Sequence, residues 1–145
     1  MKLVDANVLI YAVNASGSTT QHDEARAWLD RALVATEPVG FSWIVMLAFV
    51  RLVTKVGLFP NPMPIDEALN RLRAWLEQPA ALIVEPTSRH LEVLAGLLRQ
   101  VGVGGNLVGD AHLAALAAEH DAMIVTFDPD FTRFAGVVSR RPTDT

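Results

Sequence analysis

The stretch Lys2-Leu3-Val4-Asp5-Ala6-Asn7-Val8-Leu9-Ile10-Tyr11-Ala12-Val13 decides how the rest of the chain is read. Lys2 to Val4 is a short apolar run that stops at an acid, and Asn7 to Val13 continues as an apolar helix. Strand, acidic turn, helix is the opening unit of a parallel α/β sheet. The same alternation recurs downstream. Val39–Phe41 predicts a short strand, and Trp43–Val56 a strongly apolar helix closed by Gly57, a residue favoured just past a helix end. Ala81–Val84 predicts a strand, His90–Val101 a helix, Gly102–Gly105 a break, Asp110–Glu119 an alanine-rich helix, and Met123–Thr126 a β-rich run leading into Asp128. Two amphipathic helices are expected over Asp23–Leu33, where Ala25, Trp28, Leu29 and Ala32 recur at helical spacing, and over Asp66–Leu76. Ser16 to Thr20 reads as a polar loop. Phe59-Pro60-Asn61-Pro62-Met63-Pro64 cannot continue a helix, because each proline lacks an amide donor and restricts its predecessor. The expected architecture is α/β, a mostly parallel sheet of four to five strands flanked by helices in one domain over residues 1–145.

Composition narrows the chemistry. A chain of 145 residues with 51% apolar and 19% charged residues is long enough for one real core. It contains no cysteine, which removes disulfides, thiolate metal sites and cysteine nucleophiles together. Any metal is then held by oxygen or histidine. The acid at Asp5 interrupts what would be the apolar stretch of a signal peptide, so cytoplasmic residence is the expectation. The longest apolar run, Phe41 to Val50, is stopped by Arg51 well short of the roughly 20 residues that cross a bilayer, so no membrane span is expected. A formal charge of −4 argues against holding nucleic acid by bulk electrostatics and leaves room for a local basic patch.

Four acids stand where a parallel sheet gathers its ligands. Asp5 directly follows one strand, Asp128 and Asp130 follow another, and Asp110 sits in the first turn of a helix that packs on the sheet. Each has a structural explanation of its own: Asp5 as a helix cap, Asp110 at the positive end of its helix, Asp128-Pro129-Asp130 as a turn. All four nonetheless point to the carboxyl edge of the sheet, where ligands bind. Carboxylates driven together repel unless one takes up a proton or a cation intervenes. Mg²⁺ and Mn²⁺ prefer hard oxygen donors, and in phosphoryl chemistry they activate water and offset charge on the phosphate. Phosphodiester hydrolysis is the chemistry this pattern suggests.

Three segments carry a resemblance: Val4-Asp5-Ala6-Asn7-Val8-Leu9, Gly109-Asp110-Ala111-His112-Leu113-Ala114-Ala115, and Val125-Thr126-Phe127-Asp128-Pro129-Asp130-Phe131. In this order and spacing they resemble the PIN-domain ribonucleases, and within them the VapC-type toxins of bacterial toxin–antitoxin pairs. The resemblance covers nearly the whole chain. It implies a PIN-like three-layer fold and a Mg²⁺- or Mn²⁺-dependent endoribonuclease in which Asp5, Asp110 and Asp128 hold the metal and Asp130 assists. Asn7 and Thr126 would support the site by hydrogen bonding. It also implies an RNA substrate, a homodimer and a cognate VapB-type antitoxin bound near the site. One position departs from the pattern. The family's helix glutamate aligns with Ala48, and no Asp or Glu occurs between Phe41 and Ile65. Ala48, Arg51 and Lys55 share one helical stripe, which places Arg51 near the missing acid as a phosphate ligand. The competing expectation is a catalytically weak PIN-like module that acts by binding RNA or a partner.

The remaining polar residues have plainer uses. His112, two positions after Asp110, points away from it on a helix. His22 and His90 near helix starts and His120 near a helix end suit capping or solvent. Ser42 follows a strand and could reach the acid cluster as a minor site residue, but serine also caps helices, and Trp43 begins one. Trp28, Trp43 and Trp75 lie in apolar helical patterns that favour core or interface packing over base stacking.

Overall fold

A computed structural model of the chain describes residues 1–17, 19–57 and 59–145. Its elements in chain order are β1 (Lys2–Val4), α1 (Ala6–Val13), α2 (Thr19–Ala32), β2 (Val39–Phe41), α3 (Trp43–Val53), α4 (Ile65–Leu76), β3 (Ala81–Ile83), α5 (His90–Val101), α6 (Leu107–Glu119), β4 (Met123–Val125) and β5 (Ser139–Arg140). Short 3₁₀ turns cover Pro129–Arg133 and Pro142–Asp144. The five strands form one sheet in the order β3-β2-β1-β4-β5, and every pair is parallel. β1 pairs with β2 through Lys2 opposite Val39, and with β4 through Val4 opposite Val125. β1 to β2 to β3 steps in one direction across the sheet, and the return from β3 to β4 steps in the other. With right-handed crossovers, α5 and α6 therefore cover the face opposite α1 to α4. The order reverses between β1 and β4, the crevice where doubly wound sheets bind ligands.

The core explains why these short strands hold. Leu3, Val4, Val39, Phe41, Ile124 and Val125 are fully buried, as strands covered on both faces require. Gly40 is needed where it stands: a β-carbon there would come within 2.5 Å of Leu3 and 2.6 Å of Val84. Trp28, Phe49, Phe131 and Phe134 fill the remaining volume, with Trp75 edge-on to Phe49 at 5.2 Å.

Several boundaries differ from the sequence expectation. The helix expected from Asp23 begins at Thr19, so Thr19 and Thr20 are helical and His22 lies inside α2; Ser18 of the expected loop lies outside the described residues. α3 stops at Val53 instead of reaching Val56. Thr54 closes it by donating its hydroxyl to the Val50 carbonyl at 2.7 Å, a local bond that competes with the helix ladder. Lys55 consequently falls off the stripe that Ala48 and Arg51 share. α6 begins three residues before Asp110, which keeps that acid in its first turn. β5 is two residues long, too short to show a pattern, and follows from the tertiary pairing alone. Among the described residues no helix is long and apolar enough to cross a membrane.

Candidate active site

The carboxyl ends of β1 and β4 build the centre of the site. Asp5 ends β1 in extended conformation and caps α1, its Oδ1 accepting from the Ala6 amide at 2.6 Å. Its Oδ2 accepts from Asn7 Nδ2 at 2.8 Å and from the Thr126 hydroxyl at 2.7 Å. Asn7 also donates to Thr126 Oγ1 at 2.9 Å, and its own Oδ1 accepts from the Phe127 amide at 3.2 Å. Thr126 Oγ1 in turn accepts from the Asp128 amide at 2.9 Å. The expected supporting residues Asn7 and Thr126 thus tie both acid-bearing loops into one braced unit. The helix-cap explanation of Asp5 and its place in the cluster are both true of the structure.

The other acids gather around that unit. Asp128 accepts from the Asp130 amide at 2.8 Å and starts the 3₁₀ turn, as the turn reading anticipates. Asp130 stands further out, half exposed and paired with Arg133 at 3.5 Å. Burial raises the Asp5 carboxyl to about 6; repulsion from Asp110 and Asp128 adds to this, and the hydrogen bonds from Thr126 and Ala6 oppose it. Asp110 is likewise raised, by burial first and then by Asp128 and Asp130. The four acids therefore feel one another across the crevice. Among the described residues, no three His, Asp or Glu side chains converge closely enough to grip an ion unaided.

A cleft of about 240 Å³ opens on this centre, lined on one side by Asp5, Ala6, Gly109 and Asp110 and on the other by Ile44, Val45, Ala48 and Arg51. Arg51 is exposed and has no ion-pair partner among the described residues. It enters the cleft one turn from Ala48, the position where the expected glutamate is missing. Ser42 follows β2, the strand beside β1, and its buried hydroxyl has no hydrogen-bond partner among the described residues. The sequence suggested a capping use, and Ser42 does hold the N-cap position of α3 but makes no side-chain cap bond there. Trp43, expected in a packed pattern, is 51% exposed at the start of α3.

The histidines lie apart from the acids. His112 turns away from Asp110, as expected, and its Nδ1 meets His90 Nε2 at 2.8 Å. His90 Nδ1 meets Glu119 at 2.5 Å, and Thr87 donates to the same carboxylate, so His90 is no solvent or capping residue. Sequence reading missed this chain because its members are up to 32 positions apart. His22 Nδ1 contacts the Tyr11 carbonyl at 2.8 Å and His120 Nε2 that of Glu85 at 2.8 Å.

Residues 2–137 match the PIN domain family. Ribonuclease VapC37 of Mycobacterium tuberculosis is 56% identical over 137 residues, 94% of each chain, and Ribonuclease VapC31 of the same species is 39% identical over 142 residues, 98% of this chain and 99% of that one. The fold is shared with the crystal structure of M. tuberculosis VapC20, described as a sarcin-ricin loop cleaving toxin, at a TM-score of 0.71 and 19% identity, over 98% of this chain and 100% of that one. It is shared as well with VapBC2 of Rickettsia felis bound to a promoter DNA fragment, at 0.67 and 18% over 97% of each. The chain belongs to the PIN-domain family, in its VapC branch.

Proposed function

We propose that this chain is a divalent-metal-dependent endoribonuclease of the VapC type, held in check by a cognate antitoxin. The observation that carries the reading is the set of facing carboxylates at the sheet's reversal point, two of them raised by burial and further by their acidic neighbours. The naming of its relatives as ribonucleases supports the substrate class. Toxin–antitoxin complexes among the structural neighbours support the partner.

The donor set fits a hard cation. Asp5, Asp110 and Asp128 offer only carboxylate oxygen, and the mutual repulsion that adds to burial in raising Asp5 and Asp110 is what a divalent charge relieves. These three residues would hold Mg²⁺ or Mn²⁺ together with water, and Asp130 would assist from the rim. When bound, such an ion activates water and stabilises charge on the phosphate. Asn7 and Thr126 fix the Asp5 carboxylate so that one of its edges always faces the crevice. Arg51 holds a substrate phosphate in the space that a glutamate would otherwise occupy, offering a planar fork of donors suited to it. Exposed Trp43 and Leu47 on α3, with Ile44 at the cleft wall, form the apolar face through which two copies would pair.

The purified protein is expected to cut RNA with Mg²⁺ and to stop with chelator. Asp5→Asn should lower the rate by on the order of 100-fold or more, as removal of a group that organises transition-state charge does. Cleavage at the wild-type rate in that variant would sink the assignment. Ala48 favours a second reading, a feeble enzyme that binds RNA or a partner; it predicts tight RNA binding with no metal-dependent cleavage.

A further inference from the structure

The strand registers place a row of side chains along the carboxyl edge of the sheet. Val4 lies opposite Val125, and Val125 opposite Arg140, so one residue further on Asp5, Thr126 and Arg141 stand side by side. Two bonds confirm the row: Asp5 N donates to the Val125 carbonyl at 3.0 Å and Thr126 N to that of Arg140 at 2.9 Å. On the other flank, Arg51 comes from the helix that follows β2. The acids, centred on β1 and β4, are thus bracketed by cations, Arg51 on the β2 side and Arg140 with Arg141 on the β5 side. From β2 to β5 the edge spans about 14 Å at the usual strand spacing.

The β5 side is a built cleft. It measures about 330 Å³, is lined by Phe127, Asp128, Pro129, Arg140 and Arg141, and shares Thr126 and Asp128 with the acid centre. Arg141 is held in place: its guanidinium lies over the Phe127 ring at 5.2 Å and donates to Glu24 at 3.2 Å, and Tyr11 props the far side of Phe127 edge-on at 5.1 Å. A guanidinium has five donors, and the bond to Glu24 uses one. Arg140 is exposed and, among the described residues, its guanidinium donates to the carbonyl of Ser139 alone. Asp144 also lines the cleft, and with Glu24 it is an opposing charge beside these arginines.

Resting on the ribonuclease reading, we propose that Arg140 and Arg141 form the second phosphate-holding wall of the site, so that single-stranded RNA crosses the sheet edge from Arg51 over the acids to β5. An immobilised arginine costs little further ordering when a phosphate arrives. Both are positioning residues for the substrate and touch no reacting atom.

The test uses the full chain and a fluorescein-labelled single-stranded 12-mer RNA. Binding is read by anisotropy in the Asp5→Asn background at several salt concentrations, and cleavage in the Asp5 enzyme. Arg140→Ala with Arg141→Ala should weaken binding on the order of tenfold at 0.1 M salt and flatten the salt slope by about 1.4, the loss of two phosphate contacts on a single strand. KM should rise by a similar factor while kcat stays within about twofold. Glu24→Gln removes the same ion pair and leaves the cation, so it should bind RNA at least as tightly as the parent. Arg141→Lys should recover part of the affinity. If Glu24→Gln loses affinity together with Arg141→Ala, or if the double variant keeps the parent's affinity and salt slope, the wall does not exist. A parent that cleaves RNA while the double variant keeps its KM overturns this inference alone, whereas a parent that never cleaves overturns the ribonuclease reading.

Discussion

Asp5 accepts hydrogen bonds from Ala6, Asn7 and Thr126, and its ionisation nonetheless comes at a cost to the fold. Its carboxyl is raised from 3.8 to about 6 by burial and by its acidic neighbours. A group raised in the folded state contributes stability that is whole below its unfolded value and is lost as pH climbs through the folded one. In chelator, ionising Asp5 should therefore remove about 2 kcal/mol between pH 4.5 and 7.5. Denaturant unfolding of the wild type and of Asp5→Asn at both pH values isolates this, because the variant lacks the ionisation; parallel slopes in the pair would refute it. Millimolar Mg²⁺ at pH 7.5 should restore stability to the wild type and leave the variant where it was. Ala48 is the complementary residue, an absent acid instead of a strained one. Ala48→Glu places a further carboxylate in the cleft, and titration calorimetry should find Mg²⁺ affinity raised several-fold from a measurable starting value. A rise from no detectable binding would mean that the native acids cannot hold the ion by themselves.

At the scale of elements, the strands present the acids and two helices decide where Asp110 stands. α5 and α6 pack against each other, and the chain Thr87, Glu119, His90, His112 crosses between them. Burial pushes the Glu119 carboxyl up, but the hydrogen bonds from Thr87 and His90 outweigh it and hold it below the usual range. The sign is then opposite to that of Asp5: Glu119 stabilises the fold above its unfolded value and loses that contribution as pH falls through its lowered one. Glu119→Gln should cost about 1.5 to 3 kcal/mol at pH 7, the loss typical of a covered, charge-assisted hydrogen bond, and much less at pH 3. Urea melts at the two pH values read both numbers, and an equal loss at both would show that packing, not charge, is what the variant removes. The helical periods that announce α5 and α6 are plain in the sequence, as is the strand before Asp5. The clamp between them is not, because hydrogen bonds joining positions 90, 112 and 119 leave no local pattern. β5 escaped for a related reason: two residues cannot show a period, and their strand character comes from the neighbour they pair with.

For the molecule as a whole, the open question is what covers α3. Leu47 is 62% exposed beside Trp43, on a helix whose other face is core. If two copies pair there, Leu47→Asp should turn a dimer into a monomer by light scattering at micromolar concentration, with the melting curve of the isolated chain nearly unchanged because the residue touches little of its own core. A wild type that is already monomeric would leave the face to the antitoxin instead. Charge at this scale is also arranged, not summed. A net −4 conceals a carboxyl edge on which Arg51 and Arg141 lie to either side of the acids, so the proposed RNA path would meet local positive charge while the bulk of the surface repels nucleic acid.

The alternation of strands and helices, the carboxyl-edge position of Asp5, Asp110 and Asp128, and the gap at Ala48 can all be read from the chain's own residues. These follow from short-range rules, the period of apolar residues and the single direction of a parallel sheet. Tertiary packing settles which side chains brace Asp5, that Asp130 stands at the rim, that Ser42 is buried without a hydrogen-bond partner among the described residues, and that Arg141 falls in register beside Thr126 and Asp5. Those facts depend on strand order and register, which join positions more than a hundred residues apart. No local period encodes them, and they arise when burial of both sheet faces selects one packing.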